Sequence, residues 1–163
     1  MIRSQTQSRR ESRRMIRKNL MLVAGLAVVV TAGAALAQDI IATRQDEMKA
    51  FGKHMGAIKA VLIDKQGSMD TVVENADEIA GDAYNELVSW FPKGSDTGKT
   101  HALPAIWEKP DEFAADAKKT GDLATALSTA AKAGDAAAAT AAFAALGKEG
   151  CGGCHATFRA PMN

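Results

Sequence analysis

The side chains best suited to chemistry are two thiols and an imidazole near the end of the chain, in the run Cys151-Gly152-Gly153-Cys154-His155. On a helix, residues three and four positions apart share a face, so these three side chains would point the same way. Two thiols at this spacing can each bond one vinyl group of a haem, while the imidazole coordinates its iron. The pattern C-x-x-C-H is therefore typical of covalent haem attachment of the c type.

Three other interpretations of the cysteine pair have less support: a redox dithiol, a zinc half-site and a structural disulfide. A thioredoxin-like dithiol accompanies a βαβ pattern, and no segment here alternates as strands do. A zinc site needs about four ligands, whereas the chain has two cysteines, and its other histidines, His54 and His101, lack ligand spacing. A disulfide across so short a loop would add little stability.

The N-terminal segment predicts export. Residues 1–18 are strongly basic, an apolar run follows from Leu20 to Val30, and Ala35-Leu36-Ala37 precedes Gln38. A basic region, an apolar region and an A-x-A site in this order predict a cleavable signal peptide over residues 1–37. We therefore expect a bacterial periplasmic protein with no stable membrane insertion after cleavage, because the apolar run is shorter than a spanning helix needs.

Two alternatives concern this segment. Met15 is an alternative start that shortens the signal to residues 15–37, and an apolar run extended to Ala37 would be long enough to anchor an uncleaved chain. The surroundings of Arg13-Arg14 also resemble a twin-arginine signal, but c-type haem is attached to a chain that crosses the membrane unfolded. Export agrees with the haem motif, because a lone cysteine pair in an oxidising compartment needs a haem or a bridge.

Charge excludes one class of partner. Removal of residues 1–37 lowers the number of Lys and Arg from 20 to 13 and of Asp and Glu from 19 to 18, so the net charge changes from +1 to about −5. A negative domain argues against nucleic acid and anionic lipid as partners and permits a basic docking protein. Residues 38–163 suffice for one domain with a single core.

The elements that would position the motif are helices. Helical periodicity or composition predicts four of them, at about 39–64, 69–90, 110–133 and 136–159. Ser68 and Asp135 are candidate N-caps, and Pro110 suits a first helical position. Residues 91–98 are a loop by their Pro and Gly content, and residues 103–107 are expected to form a short ordered turn. The predicted core residues of the first two helices are Ile41, Met48, Phe51, Met55, Ile58, Leu62, Val72, Val73, Ala76, Ile79, Ala80, Ala83, Leu87 and Trp90. We predict an all-α, antiparallel four-helix bundle with covalently bound haem on the C-terminal helix.

Three stretches carry a likeness to one family. The first extends from Arg44 to Ile58, the second joins Trp90-Phe91-Pro92 to Pro104-Ala105-Ile106-Trp107, and the third is Leu146-Gly147 with residues 151–159. In this order they resemble the class II cytochromes c, the family of cytochrome c′ and the low-spin cytochrome c-556. The resemblance implies one covalent haem c with its iron, redox partner proteins and no enzymatic activity. It also permits a homodimer, although no clear exposed apolar stripe in the sequence decides this.

The resemblance implies roles for single residues. Cys151 and Cys154 would form the thioethers, and His155 would be the proximal iron ligand. Arg159, one turn later, would lie beside the imidazole and favour reduced iron; the alternative is a cation that stabilises a helix C-terminus. Arg44 would lie in the haem vicinity and approach a propionate; the alternative is an ordinary surface arginine.

The sixth iron position decides the function. Met48 matches the family's distal position, and as a ligand it would give a six-coordinate, low-spin centre suited to electron transfer. A Met48 that only packs over the iron would leave a five-coordinate centre that binds nitric oxide or carbon monoxide. The pattern of Met48 with Gly52 is closer to the ligated branch, so we expect a periplasmic electron carrier, with the gas-binding cytochrome c′ as the alternative. Met55, seven residues on, is a second candidate and more typical of the core.

The remaining aromatic and imidazole side chains have structural interpretations. His54 lies roughly 120° from Met48 on a helical wheel and is expected at the surface. His101 falls in a polar loop and is expected to be solvated. Trp90 and Trp107 are expected in the core or in the wall of the haem pocket rather than in an electron relay.

Overall fold

Four helical segments form the bundle in the computed structural model, which describes residues 39–162. Its elements are α1 (39–62), α2 (Met69–Asn85), a 3₁₀ turn (Leu87–Trp90), α3 (Ala105–Glu108), α4 (Pro110–Lys132), α5 (Ala136–Ala145), a π-helical turn (Leu146–Cys151) and α6 (Gly152–Phe158). The predicted all-α four-helix fold is confirmed. The predicted signal peptide lies outside the described residues.

The helix ends follow local chemistry in part. Asp135 caps α5 as predicted, because its Oδ1 accepts a hydrogen bond of 2.9 Å from the Ala138 N–H. Ser68 holds the N-cap position of α2, but its side chain makes no capping bond, so that prediction is wrong in its chemistry. Gly134, which precedes Asp135, has a φ of 69°, the left-handed conformation that a short connection between helices requires.

Two predicted helices are less regular than expected. The second ends at Asn85, and the chain reaches Trp90 through the 3₁₀ turn. Tighter turns are common at helix ends, and Pro92 prevents a longer helix. The fourth is divided by the π-helical turn and ends at Phe158, so that Arg159 already has extended backbone, with φ −126° and ψ 131°.

The core lies between α1, α2 and α4 and continues to the C-terminal segment. All the predicted core residues of the first two helices are buried except Val73, Met48 and Met55, which are half-buried. At one end of the bundle, Phe113 packs edge-on against both Phe91 and Phe158, with ring centroids 5.0 and 5.2 Å away. This aromatic cluster joins α4 to the central loop and to the last helix.

The crossing of α2 and α4 is close. A Cβ atom on Gly121 would come within 2.8 Å of the Tyr84 ring, so the absence of a side chain permits this contact. The Tyr84 hydroxyl donates a 2.7 Å hydrogen bond to Asp122 Oδ1. None of the helices within residues 39–162 has the length and apolar character needed to cross a bilayer.

Candidate functional site

A cavity of ≈ 430 Å³ lies between the first half of α1, the central loop and the C-terminal end of the chain. Its volume is within the range of about 300–1,000 Å³ that is usual for small-molecule and cofactor sites. Met48 lines it from α1, and Cys154 and His155 line it from α6. The fold therefore brings together residues that are more than a hundred positions apart in the sequence.

The imidazole of His155 lies half-buried in this cavity. Burial lowers the pKa of His155, and the positive charge of Arg159 lowers it further. The side chain is therefore held as neutral imidazole, the form that coordinates a metal ion. Arg159 follows α6 directly and lines the same cavity.

The two thiols are half-buried, and only Cys154 is among the residues that line the cavity. Cys151 lies one turn earlier, at the end of the π-helical turn. Burial raises the pKa of Cys154 to about 12, with smaller contributions from Asp116 and Cys151, and burial also raises the pKa of Cys151. Redox dithiols instead depend on a lowered thiol pKa, so this environment disfavours the thioredoxin-like interpretation.

The zinc interpretation also lacks support in the described part of the chain. Within residues 39–162 no group of three or more His, Cys, Asp or Glu side chains is arranged to hold a metal ion. His101 is exposed at the cavity and His54 lies elsewhere, on the α1–α2 contact. A zinc site would need about four ligands.

The methionines divide between cavity and core. Met48 is half-buried and faces the cavity, whereas Met55 packs into the core, where its Cε would lie 3.6 Å from a Cβ on Gly147. Gly52 is exposed, and a Cβ there would meet no atom within 4 Å. Met162, which the sequence analysis did not consider, also lines the cavity and is 66% exposed. Of the two methionines predicted as candidates, only Met48 lines the cavity.

Arg44 is buried, and its interpretation as a surface arginine is wrong. Its side chain is 2% exposed and lines the cavity one turn before Met48. Its guanidinium lies 4.9 Å from the centre of the Phe91 ring and 5.8 Å from that of Trp107. Burial lowers the pKa of Arg44, and nearby Asp96 opposes this, but a guanidinium stays charged at neutral pH.

Hydrogen bonds from this guanidinium reach the central loop. Arg44 Nη1 donates to Ser95 Oγ over 2.9 Å, and Nη2 donates to Ser95 O over 2.8 Å and to Thr100 Oγ1 over 2.7 Å. Sequence reasoning identified neither Ser95 nor Thr100. In the sequence, the position of Arg44 one turn before Met48 is the feature that indicates a place near the haem.

The locations of Trp90, His101 and His54 differ from one another. Trp90 is 5% exposed and contacts Phe51 edge-on, with ring centroids 5.8 Å apart. His101 is exposed as expected, yet it lines the cavity. His54 is half-buried rather than at the surface, because its Nδ1 lies 2.8 Å from Asn75 Oδ1 of α2.

The charged residues that line the cavity are all cations. They are Arg44, Lys49 and Arg159, and no Asp or Glu lines the cavity among the residues that the structure describes. Much of the remaining wall is apolar. Haem is a planar apolar group that carries carboxylates. An apolar cavity lined in part by cations fits such a group, because a guanidinium binds a carboxylate well. The thiols can form the thioether bonds of a covalently attached haem, and the neutral imidazole can bind its iron.

Comparison with known proteins agrees with this fit. The family model of cytochrome c′ matches residues 39–159, which include Met48, Cys151, Cys154 and His155. The chain belongs to the cytochrome c′ family. A cytochrome c′ from Pararhodospirillum photometricum is 42% identical over 117 residues, covering 71% of this chain and 92% of that protein. A cytochrome c-556 from Agrobacterium fabrum is 36% identical over 128 residues, covering 78% of this chain and 86% of that protein.

The solved structure of cytochrome c′ from Thermochromatium tepidum superposes with a TM-score of 0.70 at 31% identity, covering 77% of this chain and 97% of that chain. Members of the cytochrome c′ family are haem-binding proteins rather than enzymes, and covalent haem c with its iron is their cofactor. The prediction of a class II cytochrome c with haem c is confirmed.

Proposed function

We propose that this cytochrome c′ family member is a periplasmic monohaem electron carrier. Cys151 and Cys154 hold the haem through thioethers, His155 is the proximal iron ligand and Met48 is the sixth ligand. The haem supplies reversible one-electron chemistry when bound. The observation that carries this proposal is that Met48 and His155 line one cavity from two different helices, α1 and α6.

The lining side chains fit an electron carrier. A thioether is a soft ligand, and Met48 is half-buried and so partly shielded from water. The apolar wall, with Phe91, Ile106 and Phe113, lowers the local dielectric constant and keeps solvent from the iron position. The cations favour the state with one more electron, which tends to raise the reduction potential.

The edge of the cavity is accessible to a redox partner. Gln45, Lys49, His101 and Met162 line the cavity and are exposed. Lys49 is paired with Asp46 at 2.7 Å, which reduces its effect on the cavity. A partner protein that binds this edge would come within electron-transfer range while the iron ligands stay covered.

Gas binding is the second candidate. The relatives include proteins named cytochrome c′ as well as a cytochrome c-556. If Met48 only packs over the iron, the same cavity provides room for nitric oxide or carbon monoxide. Met48 would then act as a steric barrier, and the protein would bind gas rather than carry electrons.

Ferric and ferrous visible spectra of protein made in a host competent in haem attachment test the proposal. We expect low-spin bands in the wild type and in two controls, Met55→Leu and Met162→Leu, which remove thioethers of the core and of the cavity edge. We expect these bands to disappear in Met48→Leu, a change that nearly conserves volume.

High-spin bands in the wild type that change on addition of carbon monoxide would contradict the electron-carrier proposal and support gas binding. A colourless protein would contradict both. If the low-spin bands disappear in Met162→Leu and persist in Met48→Leu, the sixth ligand is Met162 instead of Met48.

A further inference from the structure

We infer that residues 91–103, here called the strap, fix the two walls of the cavity relative to each other, and that Arg44 is the positioning residue that anchors the strap to α1. This inference rests on the proposed function for its effect on Met48. It adds a residue and a segment that control how Met48 is presented to the iron position.

One attachment of the strap is on α1, beside Met48. Three hydrogen bonds join Arg44 to Ser95 and Thr100, and Gln45 Nε2 donates a fourth, of 2.9 Å, to Lys99 O. Arg44 and Met48 are one helical turn apart, so the anchor holds the same turn of α1 that carries the distal side chain.

The other attachment is on the segment that follows His155. The Leu103 N–H donates to Phe158 O over 3.0 Å, and the Ala160 N–H donates to His101 O over 2.7 Å. Ala102 pairs with Arg159 as an antiparallel bridge. These contacts begin three residues after His155, so they hold the end of the helix that carries the proximal imidazole.

Further hydrogen bonds brace the start of the strap and the stretch beside its second attachment. Trp107 Nε1 donates to Phe91 O and to Pro92 O, both over 3.0 Å. Ser95 Oγ donates to Pro92 O over 2.8 Å, and the Ala102 N–H donates to Thr100 Oγ1 over 3.0 Å. The two attachments meet at Thr100 and His101, so a displacement of Thr100 reaches the second attachment directly.

The burial of Arg44 makes the anchor specific. Arg44 is 2% exposed, and the hydrogen-bond acceptors of its guanidinium are the neutral oxygens of Ser95 and Thr100. A buried charge is costly without its partners, so α1 and the strap hold each other in one arrangement. A lysine cannot reproduce this arrangement, because its donors radiate from one nitrogen whereas the guanidinium donates from two.

Two readouts test the strap in haem-loaded protein: amide hydrogen exchange at Leu103 and Ala160, and the rate of carbon monoxide binding to the ferrous state. In Arg44→Met we expect exchange at both amides to rise about tenfold, or ~1.4 kcal/mol, because their attachment begins at His101, directly after the Thr100 that Arg44 holds, although neither amide bonds to Arg44 itself. We expect carbon monoxide binding to accelerate by a similar factor, because the ligand must pass Met48.

Matched variants make this test specific. Arg44→Lys is expected to lie between wild type and Arg44→Met, and Lys53→Met, an exposed cation of α1, is expected to equal the wild type. Ser95→Ala removes one acceptor of the guanidinium and should change both readouts in the same direction, so it serves if Arg44→Met does not fold. Unchanged exchange at Leu103 and Ala160 together with unchanged carbon monoxide rates in a folded Arg44 variant would overturn the inference.

The outcome separates this inference from the proposed function. The spectra of the wild type, Met48→Leu and Met162→Leu decide whether Met48 is a ligand. A high-spin wild type would contradict the electron carrier, and both measurements on the strap would still apply. Amide exchange does not involve the iron, and carbon monoxide passes Met48 in either coordination state. If the wild type is low-spin and the Arg44 variants leave amide exchange and the carbon monoxide rate unchanged, the inference about the strap is contradicted and the electron-carrier proposal stands.

Discussion

Tyr84 lies directly over Gly121 where α2 crosses α4, with its ring where a side chain on Gly121 would otherwise be. The contact fixes the separation of the two helices at this point and sets the direction of the hydroxyl that donates to Asp122. It identifies a position at which a single methyl group should be costly.

Gly121→Ala is expected to lower the free energy of unfolding by up to about 1 kcal/mol, because the new Cβ would displace the Tyr84 ring, which is 46% exposed, and break its hydrogen bond to Asp122. Gly81→Ala is the matched control in α2, where a Cβ would meet no atom within 4 Å. The control should be stabilised by up to about 1 kcal/mol, since alanine is the better helix former. Urea unfolding of the haem-loaded variants measures both changes, and equal stability of the two would contradict the contact.

The cap of α5 gives a second pair of variants. Asp135→Ala should cost about 1 kcal/mol, because it removes the acceptor of the Ala138 N–H. Ser68→Ala should change stability much less, because Ser68 makes no capping bond. Chemical denaturation compares the two, and a larger loss for Ser68→Ala would show that the capping roles are reversed.

Asp82 provides a dependence on pH. Burial raises the pKa of Asp82, the carboxylates of Glu86, Glu47 and Glu78 raise it further, and His54 opposes them. A carboxyl group with a raised pKa in the folded state binds its proton more tightly there than in the unfolded chain. Its contribution to stability is therefore favourable at low pH and is lost as the pH rises through the folded-state pKa.

Asp82→Asn should consequently raise the Tm at about pH 7, and the gain should shrink as the pH falls below the ordinary range of an aspartate. Thermal unfolding from about pH 3 to pH 7 measures this difference. A gain that is the same at every pH would assign the effect to packing rather than to charge.

Intact mass spectrometry tests the two ends of the chain together. We expect the exported protein to begin at Gln38 and to carry the added mass of one haem. A double variant, Cys151→Ser with Cys154→Ser, should keep the same N-terminus and lose the haem mass. A wild-type chain without that mass would contradict covalent attachment, and a retained N-terminal segment would contradict cleavage after Ala37.

Much of the bundle could be predicted because its signals are local. The start of α4 follows from Pro110, the start of α5 follows from its capping residue Asp135, and the core face of α1 follows from its periodicity. The cysteine–histidine motif likewise depends on the spacing of neighbours. Each of these signals lies within or beside the helix that it describes.

The environment of Arg44 could not be predicted in this way. Its hydrogen-bond partners Ser95 and Thr100 are 51 and 56 positions away, in a loop whose path depends on the completed fold. The π-helical turn was missed for another reason: its residues suit an α-helix, and Gly147 and Gly150 were the only local sign. His54 was assigned to the surface because a helical wheel ignores which neighbour a helix packs against.

The π-helical turn has a geometric consequence for the last helical segment. A π turn takes up about one residue more than an α turn, so side chains after it are out of phase by about 100° with those before it. The side chains of the alanine-rich α5 and of α6, which carries the end of the haem motif, therefore point in different directions around one continuous helical segment. The side chains of α5 can therefore be oriented for packing against the neighbouring helices, while α6 independently orients the imidazole of His155 toward the cavity.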